Sequence, residues 1–149
     1  MPQGSLVDFD VPRQRRIEWK RLIEGRDDYP QIEHMNPTYA GWVVHQWIKK
    51  RFSYIDVLYD CWTYWNEEGE QVWGKYDAWD GNHIYEFKTV TGRRFNSLGL
   101  PREKDKNQMR DYMEATDTRT GFLIYISRGD FSVKEIKFHL PKMENKYGS

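Results

Sequence analysis

Residues 74–90 read GKYDAWDGNHIYEFKTV, and the reading of this stretch decides the fold of the chain. Aromatic and β-branched residues alternate with polar ones on both sides of Asp80-Gly81-Asn82, the pattern of two antiparallel strands joined by a tight turn. Glu86 and Lys88 stand two apart on the second strand, so they project from one face. If Gly81-Asn82 forms a two-residue loop, Asp80 opposes His83 and Asp77 lies directly opposite Glu86. An Asp80-Gly81 loop makes the two carboxylates diagonal neighbours on the same face, and a three-residue loop separates them. Tyr85 and Phe87 alternate with Glu86 and Lys88, which points to a strand packed on its other face and leaves the charged face to be explained.

Two carboxylates set opposite each other repel and weaken a sheet. A divalent cation between them would turn that cost into a site, and carboxylate oxygens suit the hard ions Mg²⁺ and Mn²⁺. Lys88 could instead neutralise the pair as a salt-bridged Asp77–Glu86–Lys88 cluster, because buried charges are usually paired. From these three residues both readings stand.

Upstream, Pro12 opens RQRRIEWKRLIEG, whose Ile17, Trp19, Leu22 and Ile23 predict a short amphipathic helix ending at Gly25. Residues 26–37 read as a polar loop. Asn36-Pro37 has the form of an N-cap and first-turn pair for a helix through about Arg51, given apolar character by Trp42, Val43, Val44, Trp47 and Ile48. A strand is expected over about Asp56–Trp65, a turn over Asn66–Gly69, then strands over Gln71–Trp79 and His83–Val90. Thr91–Pro101 reads as a loop, Glu103 to about Thr116 as a helix, and Phe122–Ser127 and Val133–Leu140 as two further strands. The order is helix, helix, three antiparallel strands, helix, two strands. That is α+β, or mixed α/β if the strand after the last helix joins in parallel. A single domain over 1–149 is expected, with poorly ordered tails over 1–10 and 141–149.

A chain of 149 residues with seven Trp, ten Tyr and seven Phe can bury a real core despite a mean hydropathy of −0.92. Its 23 basic and 23 acidic residues cancel, so nucleic-acid binding would have to come from local patches, and a passive coat protein is disfavoured. The single cysteine, Cys61, excludes an intrachain disulfide and any all-cysteine metal or iron–sulfur site within one chain. No apolar run reaches membrane-spanning length and no signal-type segment is seen, so a cytoplasmic protein is expected, with no membrane partner. A homo-oligomer is compatible with the sequence.

Around the hairpin lie further residues in a fixed order. GWVVH sets Gly41 and His45 one helical turn apart. Gly74 precedes Asp77 by three, Thr89 follows Lys88, and QMRDY sets Gln108 and Tyr112 on one helical face. Together, Gly-x-x-x-His, Gly-x-x-Asp, Glu-x-Lys-Thr and Gln-x-x-x-Tyr resemble the PD-(D/E)XK nuclease superfamily, in particular its RecB-type exonuclease branch with CRISPR-associated and viral relatives. The resemblance runs from about Asn36 to Ser127. It implies a restriction-endonuclease-like core with a central mixed sheet flanked by helices. It also implies metal ligation by His45, Asp77, Glu86 and the carbonyl of Phe87. Lys88 would position the attacking water and stabilise charge on the scissile phosphate, and Gln108 and Tyr112 would support the site and contact substrate. Many CRISPR-associated relatives carry four cysteines for an iron–sulfur cluster, whereas this chain has one, so no cluster is expected.

The function so implied is Mg²⁺- or Mn²⁺-dependent hydrolysis of DNA, exonucleolytic on linear or single-stranded ends. A structure-specific or restriction-type endonuclease of the same fold, or a catalytically silent DNA-binding module, are the competing readings. Some of these residues also have plainer explanations. His45 could be a core histidine, Gln108 and Tyr112 an ordinary helix face, and His83 a solvent-facing turn residue. The run Lys49-Lys50-Arg51 suits the negative end of a helix dipole. Arg93 and Arg94 follow the Glu86 strand closely enough to reach a phosphate backbone. Trp62, Tyr64 and Trp65 are either core or platforms for unpaired bases.

Overall fold

The fold is given by a computed structural model that describes residues 15–141. The expected tails therefore fall outside the described residues, Pro141 excepted, as do Pro12 and Arg13.

Apolar side chains on both faces of the central strands force helices onto both sides of one sheet. Helices α1 (Trp19–Ile23) and α2 (Pro37–Arg51) precede strands β1 (Leu58–Glu67), β2 (Glu70–Trp79) and β3 (His83–Val90). A helical turn α3 (Gly92–Phe95) and helix α4 (Glu103–Thr116) lead to β4 (Thr120–Ser127) and β5 (Val133–His139). The five strands lie in sequence order, every neighbouring pair antiparallel except β3 and β4, which run parallel. The sheet is thus mixed and flanked by helices, an α+β element order in which the strand after the last helix joins in parallel, the alternative that the sequence left open. Parallel pairing requires a crossover, and α4 supplies it.

On one face Trp19, Ile23, Val44, Ile48 and Phe52 cover Tyr85, Phe122, Ile124 and Ile126; on the other Met109, Tyr112 and Met113 cover Ile84, Leu123 and Tyr125. Strand β4 is buried along nearly its whole length, which is why its sequence, TGFLIYIS, is a near-continuous apolar run. No helix among the described residues is long and apolar enough to cross a membrane.

Asn36 caps α2 through its side chain, which accepts from the amides of Thr38 and Tyr39, and Pro37 fills the first turn. The first helix is shorter than expected. Residues 15–18 are not helical, because the amide of Ile17 donates to the Tyr85 hydroxyl at 2.7 Å and that of Trp19 to Glu135 at 3.1 Å. Trp42 lies on the exposed side of α2, 57 % accessible, rather than in its apolar stripe. The expected loop after β3 contains α3, capped by Thr91, whose hydroxyl accepts from the Arg94 amide. His83 is not a free turn residue: its ring lies 5.7 Å from that of Phe122, and Nδ1 is 2.8 Å from Asp80.

Candidate active site

The β2–β3 hairpin pairs Ala78 with Tyr85 and Trp79 with Ile84, the register of a Gly81-Asn82 loop. Counted onward, that register sets Asp77 opposite Glu86. At this step the backbone ladder gives way to side chains. Glu86 Oε1 accepts from the amide of Asp77 at 2.9 Å, and Asp77 Oδ2 accepts from the amide of Phe87 at 2.8 Å. Each carboxylate spends one oxygen tying down the other strand, and its second oxygen has no such duty.

The same row continues onto β1, where Tyr59 pairs with Ala78 and Cys61 with Tyr76, so Asp60 falls opposite Asp77. Asp60 has φ +57°, a left-handed conformation that Asp tolerates better than most side chains. The kink reverses the inside of the strand. Tyr59 packs with the α1–α2 face, while Cys61 and Trp65 pack with the α4 face, although residues two apart ordinarily share a side. The reversal opens the sheet where the carboxylates sit.

His45, on α2, reaches into this opening. Its Nε2 is 2.7 Å from Asp60 Oδ1, and a carboxylate only accepts, so Nε2 carries a proton; in the neutral ring Nδ1 is then left with the lone pair. Nδ1 is buried and without a hydrogen-bond partner, and it lies 3.7 Å from Asp77 Oδ1. A lone pair facing a carboxylate oxygen in a buried setting calls for a cation or a proton between them. Lys49 also binds Asp60, and Lys75 lies 3.8 Å from it. Burial raises the Asp60 carboxyl, but the bonds from Lys49 and His45 outweigh it and hold the group below its ordinary range. Lys49 thus belongs to the site and is not simply part of a solvated helix end.

Glu86 is 3 % exposed, and burial followed by the charge of Asp77 drives its carboxyl well above the ordinary range, against the pull of Lys88. Asp77 is raised too, chiefly by burial, yet 19 % of its side chain remains accessible. Lys88 Nζ stands 3.6 Å from Glu86 Oε2 and 3.9 Å from Asp105 Oδ1, while donating to Gln108 Oε1 at 2.7 Å. Asp105 already accepts from Arg102 Nε at 2.7 Å and the Tyr125 hydroxyl at 2.6 Å. Lys88 is thus the cation beside Glu86 and His45 the group beside Asp77, and the raised carboxyls of the pair favour protonation as long as no further cation joins them. The ion pair of the salt-bridged reading is present between Lys88 and Glu86, while Asp77 faces His45.

Gln108 Nε2 donates to the Tyr112 hydroxyl at 3.3 Å, and that hydroxyl donates to the carbonyl of Lys75 at 3.1 Å. Burial and then the nearby charges of Glu86 and Asp77 push Tyr112 up to about 12, so it remains a neutral donor. Gly74 makes room for this ring, since a Cβ there would sit 2.6 Å from Tyr112 Cε1. Gly41 has no comparable role: a Cβ there would meet only Thr89 Oγ1 at 3.8 Å, an ordinary contact.

The structure brings together His45, Asp77, Glu86, Phe87, Lys88, Gln108 and Tyr112. Arg93 and Arg94 sit apart on the exposed turn α3. Sequence reasoning missed Asp60, Lys75, Arg102 and Asp105. Asp105 stands one helical turn before Gln108, a spacing that could have pointed to it. Nothing in LYDCW marks Asp60.

In donor chemistry the set of one imidazole nitrogen and two carboxylates fits a divalent ion, and the orphaned Nδ1 is the observation that favours one. As they stand, no three His, Cys, Asp or Glu side chains among the described residues are gathered into a metal-holding cluster.

No family model and no curated protein matches the chain. Among solved structures it is similar to that of SSO0001, with a TM-score of 0.54 and 23 % identity over 72 % of this chain. The chain spans 55 % of the length of that structure's chain. At this identity the likeness concerns the fold.

Proposed function

We propose that this chain is a divalent-metal-dependent nuclease of the PD-(D/E)XK kind that hydrolyses DNA phosphodiester bonds, trimming linear or single-stranded ends. One observation carries the reading: the bare Nδ1 of His45 faces Asp77, beside a Glu86 carboxylate buried against its charge preference, with Lys88 alongside. Stability alone would not select this arrangement. His45, Asp77, Glu86 and the Phe87 carbonyl would hold Mg²⁺ or Mn²⁺, which when bound activates water and offsets charge on the phosphate.

The chain's own residues do the rest. Asp60 fixes the tautomer of His45 and aims Nδ1 into the site. Lys88 presents a cation where negative charge develops on a phosphate oxygen and helps orient the attacking water. Gln108 and Asp105 hold Lys88 from the α4 side, and Tyr112 anchors Gln108 to β2. Arg93 and Arg94, exposed just beyond β3, supply phosphate contacts.

Incubation with end-labelled linear and with circular DNA, in Mn²⁺, Mg²⁺ or EDTA, tests the proposal. Ladder-like trimming of linear DNA alone, abolished by EDTA, is expected. Nicking of circles would instead make the protein an endonuclease of the same fold. Absence of cleavage across metals and pH would leave a DNA-binding module, and cleavage in EDTA would remove the metal from the account.

A further inference from the structure

The β1–β2 hairpin extends beyond the candidate site with one face against α4 and the other bare. Cys61, Trp65 and Tyr76 turn inward onto Tyr112 and its neighbours. The outward positions pair as Trp62 with Lys75, Tyr64 with Trp73, and Asn66 with Gln71. A solvent-facing strand surface in so polar a chain should carry charged and hydroxyl residues. Here Trp62, Tyr64 and Trp73 are 66 %, 53 % and 57 % exposed, and the six outward positions include no carboxylate.

The face is ordered. Lys75 Nζ lies 5.6 Å from the Trp62 ring, the Tyr64 and Trp73 rings are 5.0 Å apart, and Trp73 Nε1 donates to Gln71. Successive pairs stand about 6.6 Å apart along the strands, two residues at about 3.3 Å each. The next pair in the same row is Asp60 with Asp77, and Lys75 reaches Asp60 at 3.8 Å. The aromatic face therefore runs without interruption into the candidate active site.

We propose that this face binds a single-stranded nucleic acid, its unpaired bases stacking on Trp62, Tyr64 and Trp73 and its backbone passing Lys75 on the way to Asp77. Aromatic rings with an interleaved cation and two amides, free of carboxylates, match bases and phosphates together. A duplex keeps its base faces stacked internally and offers nothing to these rings, so the face selects unpaired strands. The inference deepens the nuclease reading and rests on it for the strand's destination, but stacking itself needs neither metal nor cleavage.

The test is fluorescence anisotropy in EDTA, with a fluorescein-labelled oligothymidylate and a labelled duplex as probes. Wild type should bind the single strand at least about tenfold more tightly than the duplex. Trp73→Ala and Trp62→Ala should each weaken single-strand binding by about tenfold, the typical scale of one lost base stack. Trp73→Phe should keep most of the affinity, and Tyr54→Ala, at an exposed aromatic off this face, should keep all of it. Circular dichroism melts verify that the variants fold; should Trp62→Ala melt early, Trp62→Phe against Trp62→Leu carries the comparison. Unchanged binding in folded Ala variants would overturn the proposal, even if the protein cleaves DNA. So would a wild-type dimer in sedimentation that Trp73→Ala converts to monomer without changing affinity, since the face would then cover a second copy. Stacking-dependent binding without any cleavage would uphold this inference and reject the nuclease reading.

Discussion

A methyl group added at Gly74 should damage the site from a distance, through Tyr112. The new Cβ would lie 2.6 Å from Tyr112 Cε1 and 3.0 Å from the Trp65 ring, and neither ring is free to retreat. Trp65 packs edge-on against Tyr112 with centroids 6.0 Å apart, and the Tyr112 hydroxyl is held by Lys75 and Gln108. Gly74 is not in the left-handed region, so space alone opposes the change. Without the clash, alanine would stabilise a strand by about 0.5–1 kcal/mol relative to glycine. With it, overpacking costs about 1–3 kcal/mol and displacement of the Tyr112 hydroxyl about 1 kcal/mol more. A net loss of about 2–3 kcal/mol lowers Tm by about 5–10 °C in a domain of this size. Because Gln108 links Tyr112 to Lys88, DNA cleavage should fall as well. Thermal and urea denaturation of Gly74→Ala, Tyr112→Ala and the double variant measure the coupling. The double variant should be no less stable than Tyr112→Ala, since the nearer ring is gone and Trp65, packed edge-on against it, can move into the space it leaves. A Gly74→Ala protein as stable as wild type, or additive effects in the double variant, would refute this account of the packing. Gly41→Ala is the control and should be neutral or slightly stabilising, because its Cβ meets nothing closer than 3.8 Å.

Asp60→Asn should weaken Mn²⁺ binding by about 10–100-fold, the usual effect of losing the carboxylate behind a metal-bound imidazole; calorimetry giving wild-type affinity would remove Asp60 from the site. Glu86 and Asp77 have carboxyls raised by burial, so folding favours their protonated forms, and the stability they contribute is present below the ordinary carboxylate range and lost as pH rises through the raised values. Metal-free protein carrying Glu86→Gln should accordingly lose less stability than wild type between pH 5 and pH 8, and parallel urea-derived stability curves for the two would contradict the burial assignment. At the acid end the sign reverses. Asp60 and Asp80 have lowered carboxyls, whose contribution holds above the ordinary range and fades as pH falls through the lowered values, so Asp80→Asn should blunt acid unfolding in a pH-melt series. Lys88→Ala should abolish cleavage while leaving Mn²⁺ affinity in place, and loss of affinity in calorimetry would recast Lys88 as structural.

The elements and the central hairpin were legible in the sequence because local physics decides them. Asn36-Pro37 has the form of a helix cap ahead of a helical run, and Asp80-Gly81-Asn82 turns two alternating strands, leaving the choice of loop residues to the folded hairpin. Of the registers the sequence allowed, the Gly81-Asn82 loop found in the structure is the one that sets Asp77 opposite Glu86. The failures follow from contacts that no local pattern encodes. The first helix is cut short because Tyr85 and Glu135, distant in sequence, take the amides of Ile17 and Trp19. Asp60 looks like any polar residue in a strand; only the pairing of β1 with β2 brings it to Asp77 and His45. Asp105 and Arg102 reach Lys88 because the parallel crossover returns α4 over β3. The aromatic side chains divide for the same reason: Trp62, Tyr64 and Trp65 were open between core and exposed platforms, and the docking of α4 against one face of the strand decided that Trp65 packs while Trp62 and Tyr64 stay exposed. Charge and register are properties of a strand, but burial belongs to whatever packs against it, and that is settled only when the whole sheet assembles.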